Sequence, residues 1–133
     1  MAQFARPDAD VALDGWTNPS WSVIDEVVAS DLDKTVSPSA PSNATLVVGL
    51  SDVEDPVSNT DHVVRFRYQK SAAAGATVNF YVRLLELAVE IASWTYLDIA
   101  NGWTDGEETL AAGEADAITD YADLRLEFKA NTP

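Results

Sequence analysis

The sequence predicts an all-β domain: an antiparallel two-sheet sandwich, jelly-roll-like, of about seven or eight strands with one or two short helices. Three observations carry this. Residues 62–70, 77–85 and 124–130 alternate apolar and polar side chains with a period of two, the mark of a half-buried strand. Residues 44–50 (Ala-Thr-Leu-Val-Val-Gly-Leu) form an apolar run of strand length. The intervening stretches are rich in Gly, Pro, Ser, Asn and Asp, which are turn formers. Strands covered on one face need a second layer, so two packed sheets are the economical solution. The chain has 133 residues, 47% hydrophobic and 23% charged, enough for one domain with its own core and too few for two. It divides into an N-terminal arm or first strand over 1–20 and a single sandwich over 21–133.

Taken in order, residues 1–20 are irregular, with Pro7, Gly15 and Pro19 around a short β-like stretch at 11–13. Residues 20–28 place Ile24, Val27 and Val28 on one side and suit a short helix or turn. Residues 37–43 (Ser-Pro-Ser-Ala-Pro-Ser-Asn) are a loop, followed by the apolar strand at 44–50 and a polar loop over 51–61. In the strand at 62–70, Val64, Phe66 and Tyr68 face one way and Arg65, Arg67 and Gln69 the other. In the next, Val78, Phe80, Val82 and Leu84 alternate likewise. Leu84, Leu87, Ala88 and Ile91 also match a helical spacing. The β-branched and aromatic residues that follow favour two strands joined near residues 86–88. Asn101-Gly102 reads as a hairpin signal before Trp103. Residues 111–118 read as a short helix, and Leu124, Leu126, Phe128 and Ala130 as the inward face of a last strand.

Eight basic and 22 acidic side chains give a formal net charge of −14. Such a body repels phosphate backbones and anionic lipid surfaces, so neither nucleic acid nor membrane is expected as a partner. The first seven residues lack a basic head followed by an apolar run, and no apolar stretch approaches the ~18 residues of a membrane span. There is no cysteine, which excludes disulfides, thiolate metal sites and cysteine nucleophiles. The charge is uneven. Residues 62–84 carry Arg65, Arg67, Lys70 and Arg83 with no acid, between two segments that are each strongly negative. This block reads as strands whose cations face acidic neighbours; the other reading is a docking patch for an acidic partner, with Arg65 and Arg67 in it.

A search for catalytic groups returns little. The one histidine, His62, opens an amphipathic strand beside Asp61 without a recognisable triad. Gly49-Leu-Ser-Asp-Val53 resembles a nucleophile elbow, but Val stands where the last Gly belongs, and a Pro-containing loop follows where a helix is needed. Two carboxylates across a cleft make a glycosidase, yet acids spread through turns fit solvated loops and blunted sheet edges better. A small hydrolase is therefore the last alternative, and the expectation is no enzyme, no cofactor and no catalytic residue. Asp31-Leu-Asp33 and Asp52-Val-Glu-Asp55 offer hard oxygen ligands, so a loop-bound Ca²⁺ stays open, though the EF-hand pattern is absent. Trp16 and Trp103 each follow a Gly in a turn, where an exposed ring suits a sugar or a protein anchor; Trp94 reads as core.

Several stretches together carry a family likeness: Arg6-Pro-x-x-Asp10-Val11, Gly15-Trp-Thr17, Ile24-Asp-Glu26, Gly49-Leu-Ser-Asp-Val53 with Asp55-Pro56, His62-Val-Val-Arg-Phe-Arg-Tyr68, Ile91-Ala-Ser-Trp-Thr95 and Ile118-Thr-Asp-Tyr-Ala-Asp-Leu-Arg-Leu126. With them the chain resembles small β-sandwich proteins encoded among virion structural genes of tailed bacteriophages and prophages. One departure is the turn at residues 86–88, which lacks the expected Gly. The resemblance implies a capsid decoration, or cement, protein on the outer capsid surface, bridging subunits of the major capsid protein or another virion protein. It also implies a homo-oligomer, trimers included. A tail or head appendage that binds carbohydrate or a receptor is the alternative. Phe4, Arg6 and Pro7 are the expected anchoring arm, and Trp16, Trp103, Arg65 and Arg67 the other expected partner contacts.

Overall fold

In a computed structural model of the chain, residues 3–17, 20–25, 31–71 and 76–133 are described. Seven strands form: β1 (Pro7–Ala12), β2 (Ala44–Leu50), β3 (Val63–Tyr68), β4 (Asn79–Glu86), β5 (Val89–Tyr96), β6 (Thr104–Thr109) and β7 (Leu124–Asn131). Among the described residues, a single 3₁₀ turn (Trp21–Val23) and one short helix, α1 (Ala112–Asp116), complete the regular structure. All pairings are antiparallel. Five strands make one sheet in the order β1-β2-β7-β4-β5, and β3 and β6 make the other. The fold is all-β with two sheets, as the periodicities predict. The strands divide five and two.

Alternation decides which side is core. In β2 the residues Ala44, Leu46, Val48 and Leu50 are buried, and in register with them β7 buries Ala130, Phe128, Leu126 and Leu124. β4 adds Phe80, Val82 and Leu84 beside those positions. Leu46, Val48 and Val82 are completely inaccessible. The register between β4 and β5 shifts after Leu84, so Ile91 and Ala92 are buried in succession. The stretch that also matched a helical spacing is thus two strands and their turn, with Leu87 and Ala88 exposed in the turn. The β4–β5 turn is built without glycine: Leu87 takes a left-handed φ of 53°, and its N–H donates to the Asp123 carbonyl at 2.9 Å. A non-glycine residue adopts that conformation only when its surroundings hold it.

The two sheets meet through aromatic rings. Phe66 of β3 lies 5.7 Å from Tyr96, 6.2 Å from Phe80 and 6.4 Å from Phe128, each edge-on. Tyr68 stacks on Phe80 at 5.1 Å. Opposite Phe66 in the register of β3 and β6 stands Gly106. A Cβ there would come within 2.2 Å of the Phe66 ring, so only hydrogen leaves room for it. The inward side of β6 is Thr104, Gly106 and Glu108, with no apolar side chain. Phe66 fills the space over the glycine, and Glu108 accepts the Tyr96 hydroxyl hydrogen at 2.5 Å.

β1 belongs to the same sheet as the core strands, pairing with β2 through two register shifts. Residues 7–12 are thus an integral first strand. The Asp10 carboxylate receives the backbone N–H groups of Ser20 and Trp21 at 3.1 and 2.8 Å, fixing the 3₁₀ turn. That turn stands where a short helix was expected over 20–28; residues 26–28 of the stretch lie outside the described residues. Asn101-Gly102 does not make a hairpin: β5 and β6 belong to different sheets, and the segment crosses between them. Among the described residues no helix is long and apolar enough to cross a membrane.

Gly106→Ala is expected to destabilise the fold by about 2 kcal/mol through overpacking against Phe66, with part of the loss recovered in Gly106→Ala/Phe66→Leu. Urea unfolding of the two single variants and the double variant measures this coupling.

Candidate interaction surface

The four cations of residues 62–84 all meet carboxylates of their own chain. Across the β3–β6 register, Arg65 pairs with Glu107 at 2.9 Å and Arg67 with Asp105 at 2.8 Å. Arg67 also reaches Asp31 at 2.7 Å. Lys70 lies 3.7 Å from Asp98. On the outer face of the five-stranded sheet, Arg83 bonds both oxygens of Glu127 and approaches Glu90 at 3.4 Å. Glu127 is only 8% exposed, and the guanidinium is what makes a carboxylate there tolerable. Hydrogen bonding to Asp31 and then Asp105 raises the Arg67 pKa, and the same contact to Arg67 holds Asp31 below the usual aspartate range. Arg65 and Arg67 are therefore both ion-paired within the chain. Six carboxylates surround four cations, so even this segment is not basic at its surface.

The remaining expected contacts fall in different places. Phe4 is 59% exposed, with the Arg6 guanidinium 5.1 Å from its ring centre. Arg6 and Pro7 are tied to the body: the Arg6 N–H donates to Ser51 Oγ, the Ser51 N–H donates to the Arg6 carbonyl, and Pro7 begins β1. Of the arm, Phe4 alone projects. Trp16 turns toward the core, as do Trp21 and Trp94, and its Nε1 is buried without a partner. Trp103 is half-buried beside Arg67, whose guanidinium lies 5.6 Å from its ring centre. The chain does not bring Phe4, Trp16 and Trp103 into one shared hydrophobic cluster; they serve three separate surroundings.

The groups with chemical potential are occupied. His62 Nδ1 lies 3.0 Å from the Thr60 carbonyl, which can only accept, so that nitrogen carries the hydrogen. Nε2 then accepts from the Tyr121 hydroxyl at 2.7 Å. Burial, with Asp55 and Asp116 nearby, pushes the Tyr121 pKa up, so the phenol keeps its proton at neutral pH. Tyr121 also lines a depression of about 520 Å³ together with Asp55, Val57, Asn59 and Asp116. Both imidazole nitrogens and the phenol hydroxyl are engaged within the chain. Ser51 accepts the Arg6 N–H, and the residues after β2 do not turn into a helix, so no nucleophile elbow forms. Of the proposed calcium loops, Asp31 is held by Arg67 and Asp55 by the Val57 N–H. Among the described residues no three acidic or histidine side chains converge on a point where an ion would sit.

Two features lay outside the sequence expectations. Glu86, at the end of β4, receives the Thr119 N–H at 2.6 Å, the Thr119 hydroxyl and the Asp120 N–H at 3.4 Å. It fixes the loop after α1 to the core sheet. The other is the run of exposed apolar side chains around β5: Leu87 at 48%, Val89 at 66% and Leu97 at 70%. Their signal in the sequence was an apolar residue at each turn flanking one strand. No protein-family model, curated protein or solved structure matches the chain.

Hydrogen bonds from Thr119 hold the Glu86 carboxyl below its ordinary value of 4.5. Its stabilising effect is therefore complete above about pH 4.5 and is lost as pH falls through the depressed value. Urea titrations at successive pH values should show the midpoint falling on acidification below that point. Glu86→Gln should lower the midpoint at neutral pH and make the acid-side slope shallower.

Proposed function

We propose that this protein is a non-catalytic structural component of a virion, a decoration protein that binds the outer surface of the capsid and bridges its subunits. The observation that carries the reading is electrostatic. The four cations of the central strands pair within the chain, and a net charge of −14 remains. A body with that exterior is repelled from packaged DNA and is favoured on the far side of the shell. The sequence resemblance to phage virion β-sandwich proteins supports the same assignment. So does the engagement of His62, Tyr121 and Ser51 in bonds that hold loops and edges in place. On this reading the protein works by burying apolar and hydrogen-bonding surface between neighbours, and no turnover is involved. Phe4, exposed at the start of the edge strand, is its best-placed anchor to the shell.

Particles assembled without the protein should keep normal shape but disassemble at lower temperature or on dilution into low salt, and adding the purified chain back should restore resistance. Unchanged particle stability would remove the cementing role and leave a tail or head appendage.

A further inference from the structure

Each sheet in this fold has two edges unpaired among the described residues, and they are not treated alike. β1, at one end of the five-stranded sheet, begins with Pro7, which has no N–H to offer, carries Asp8 and Asp10, and pairs through two register shifts. In the small sheet, β3 carries Arg65 and Arg67, and β6 carries Asp105, Glu107 and Glu108. Proline, charge and irregularity are the means by which proteins keep an edge from pairing with another chain. β5, the remaining edge, is different. It is eight residues long, roughly 26 Å of backbone. It contains no proline, and its single ionisable side chain with a formal charge, Glu90, is engaged by Arg83. Its register shift lies at one end, so residues 92–96 stay regular. No other described strand pairs with its outer side.

We infer that the β5 edge is a self-association site, pairing with β5 of a second copy of this chain in antiparallel fashion to join two five-stranded sheets into one of ten. The occupant follows from the strand's own pattern. Exposed Leu87 and Val89 stand at its start and exposed Leu97 just beyond its end. A two-fold axis near the middle of the strand sets the Leu87–Val89 end of each copy against the Leu97 end of the other, covering the apolar side chains of both. The same axis sets each Glu90 toward the uncharged far end of the partner strand and away from its counterpart. A closed ring such as a trimer requires two different complementary surfaces, and the other edge of this sheet is the blocked one. The geometry thus selects a two-fold dimer. Both bodies are strongly negative, so added salt strengthens the association by screening their repulsion.

Sedimentation velocity of the full chain over a wide concentration range, at 0.05 and 0.5 M NaCl, tests this. The expected result is a monomer–dimer equilibrium, tighter in high salt. Val89→Lys and Leu97→Lys should each weaken it at least tenfold with melting temperatures close to the parent. Val11→Lys, on the opposite edge, should leave it unchanged. Backbone amides of β5 should exchange more slowly in the dimer. A chain that is monomeric throughout, a trimer, or a dimer indifferent to Val89→Lys and Leu97→Lys would overturn the inference. It rests on the fold and not on the virion reading. A monomeric chain that still stabilised particles would defeat only the inference, and a dimer without effect on particles only the reading.

Discussion

The packing of Phe66 between the two sheets is the contact on which the rest depends. The small sheet has two strands, and a two-stranded ribbon is marginal in water by itself. What holds it is the ring cluster of Phe66, Tyr68, Phe80, Tyr96 and Phe128, drawn from four strands. Each edge-on or offset pair contributes about 0.5–1.5 kcal/mol beyond its buried area. Gly106 is the complement of this cluster: by lacking a side chain it admits the ring that anchors its neighbour. Tyr96 and Glu108 finish the join. Burial first, then the hydrogen bond to Glu108, raises the tyrosine's pKa, so the phenol stays a donor across the neutral range.

Charge is organised around that join. β6 has no apolar side chain to contribute, and its outward residues Asp105 and Glu107 meet Arg67 and Arg65 of β3 in direct register. Exposed pairs of this kind are each worth little. Their larger effect is to fix which residues of the two strands stand opposite one another, since a slip of one residue would set these side chains on the wrong face. The cationic stretch between two acidic ones is therefore a pairing device. With it satisfied internally, the molecule meets its surroundings as an acidic body, and the proposed salt dependence of self-association follows from that.

Much of this was readable from the sequence, and the parts that were not have physical reasons. β2, β3, β4 and β7 show their inward faces through apolar residues at every second position, and the pairing of the central cations was readable from their isolation among acids. β6 was hidden because its core-facing position is a glycine filled by a ring from another strand. Thr-Asp-Gly-Glu-Glu-Thr has no hydrophobic signal to read. β1 was displaced because Pro7 hides a strand start. Asn101-Gly102 misled because the dipeptide reports a turn and not which sheet the chain enters next. Among the expected contact residues, the ion pairs of Arg65 and Arg67 and the packing of Trp16 against the core could not be read in advance, since exposure and internal pairing are properties of tertiary neighbours. Glu86 and the β5 edge were missed because their roles depend on what lies across a loop or beside a strand.

Hydrogen exchange combined with urea unfolding of Phe66→Ala bears most directly on the central claim. The account predicts a loss of about 3–5 kcal/mol, with the amides of β3 and β6 losing protection before those of β2, β7 and β4. A loss below about 1 kcal/mol, within the range of a surface substitution, with β3 and β6 still protected to the same degree, would contradict it.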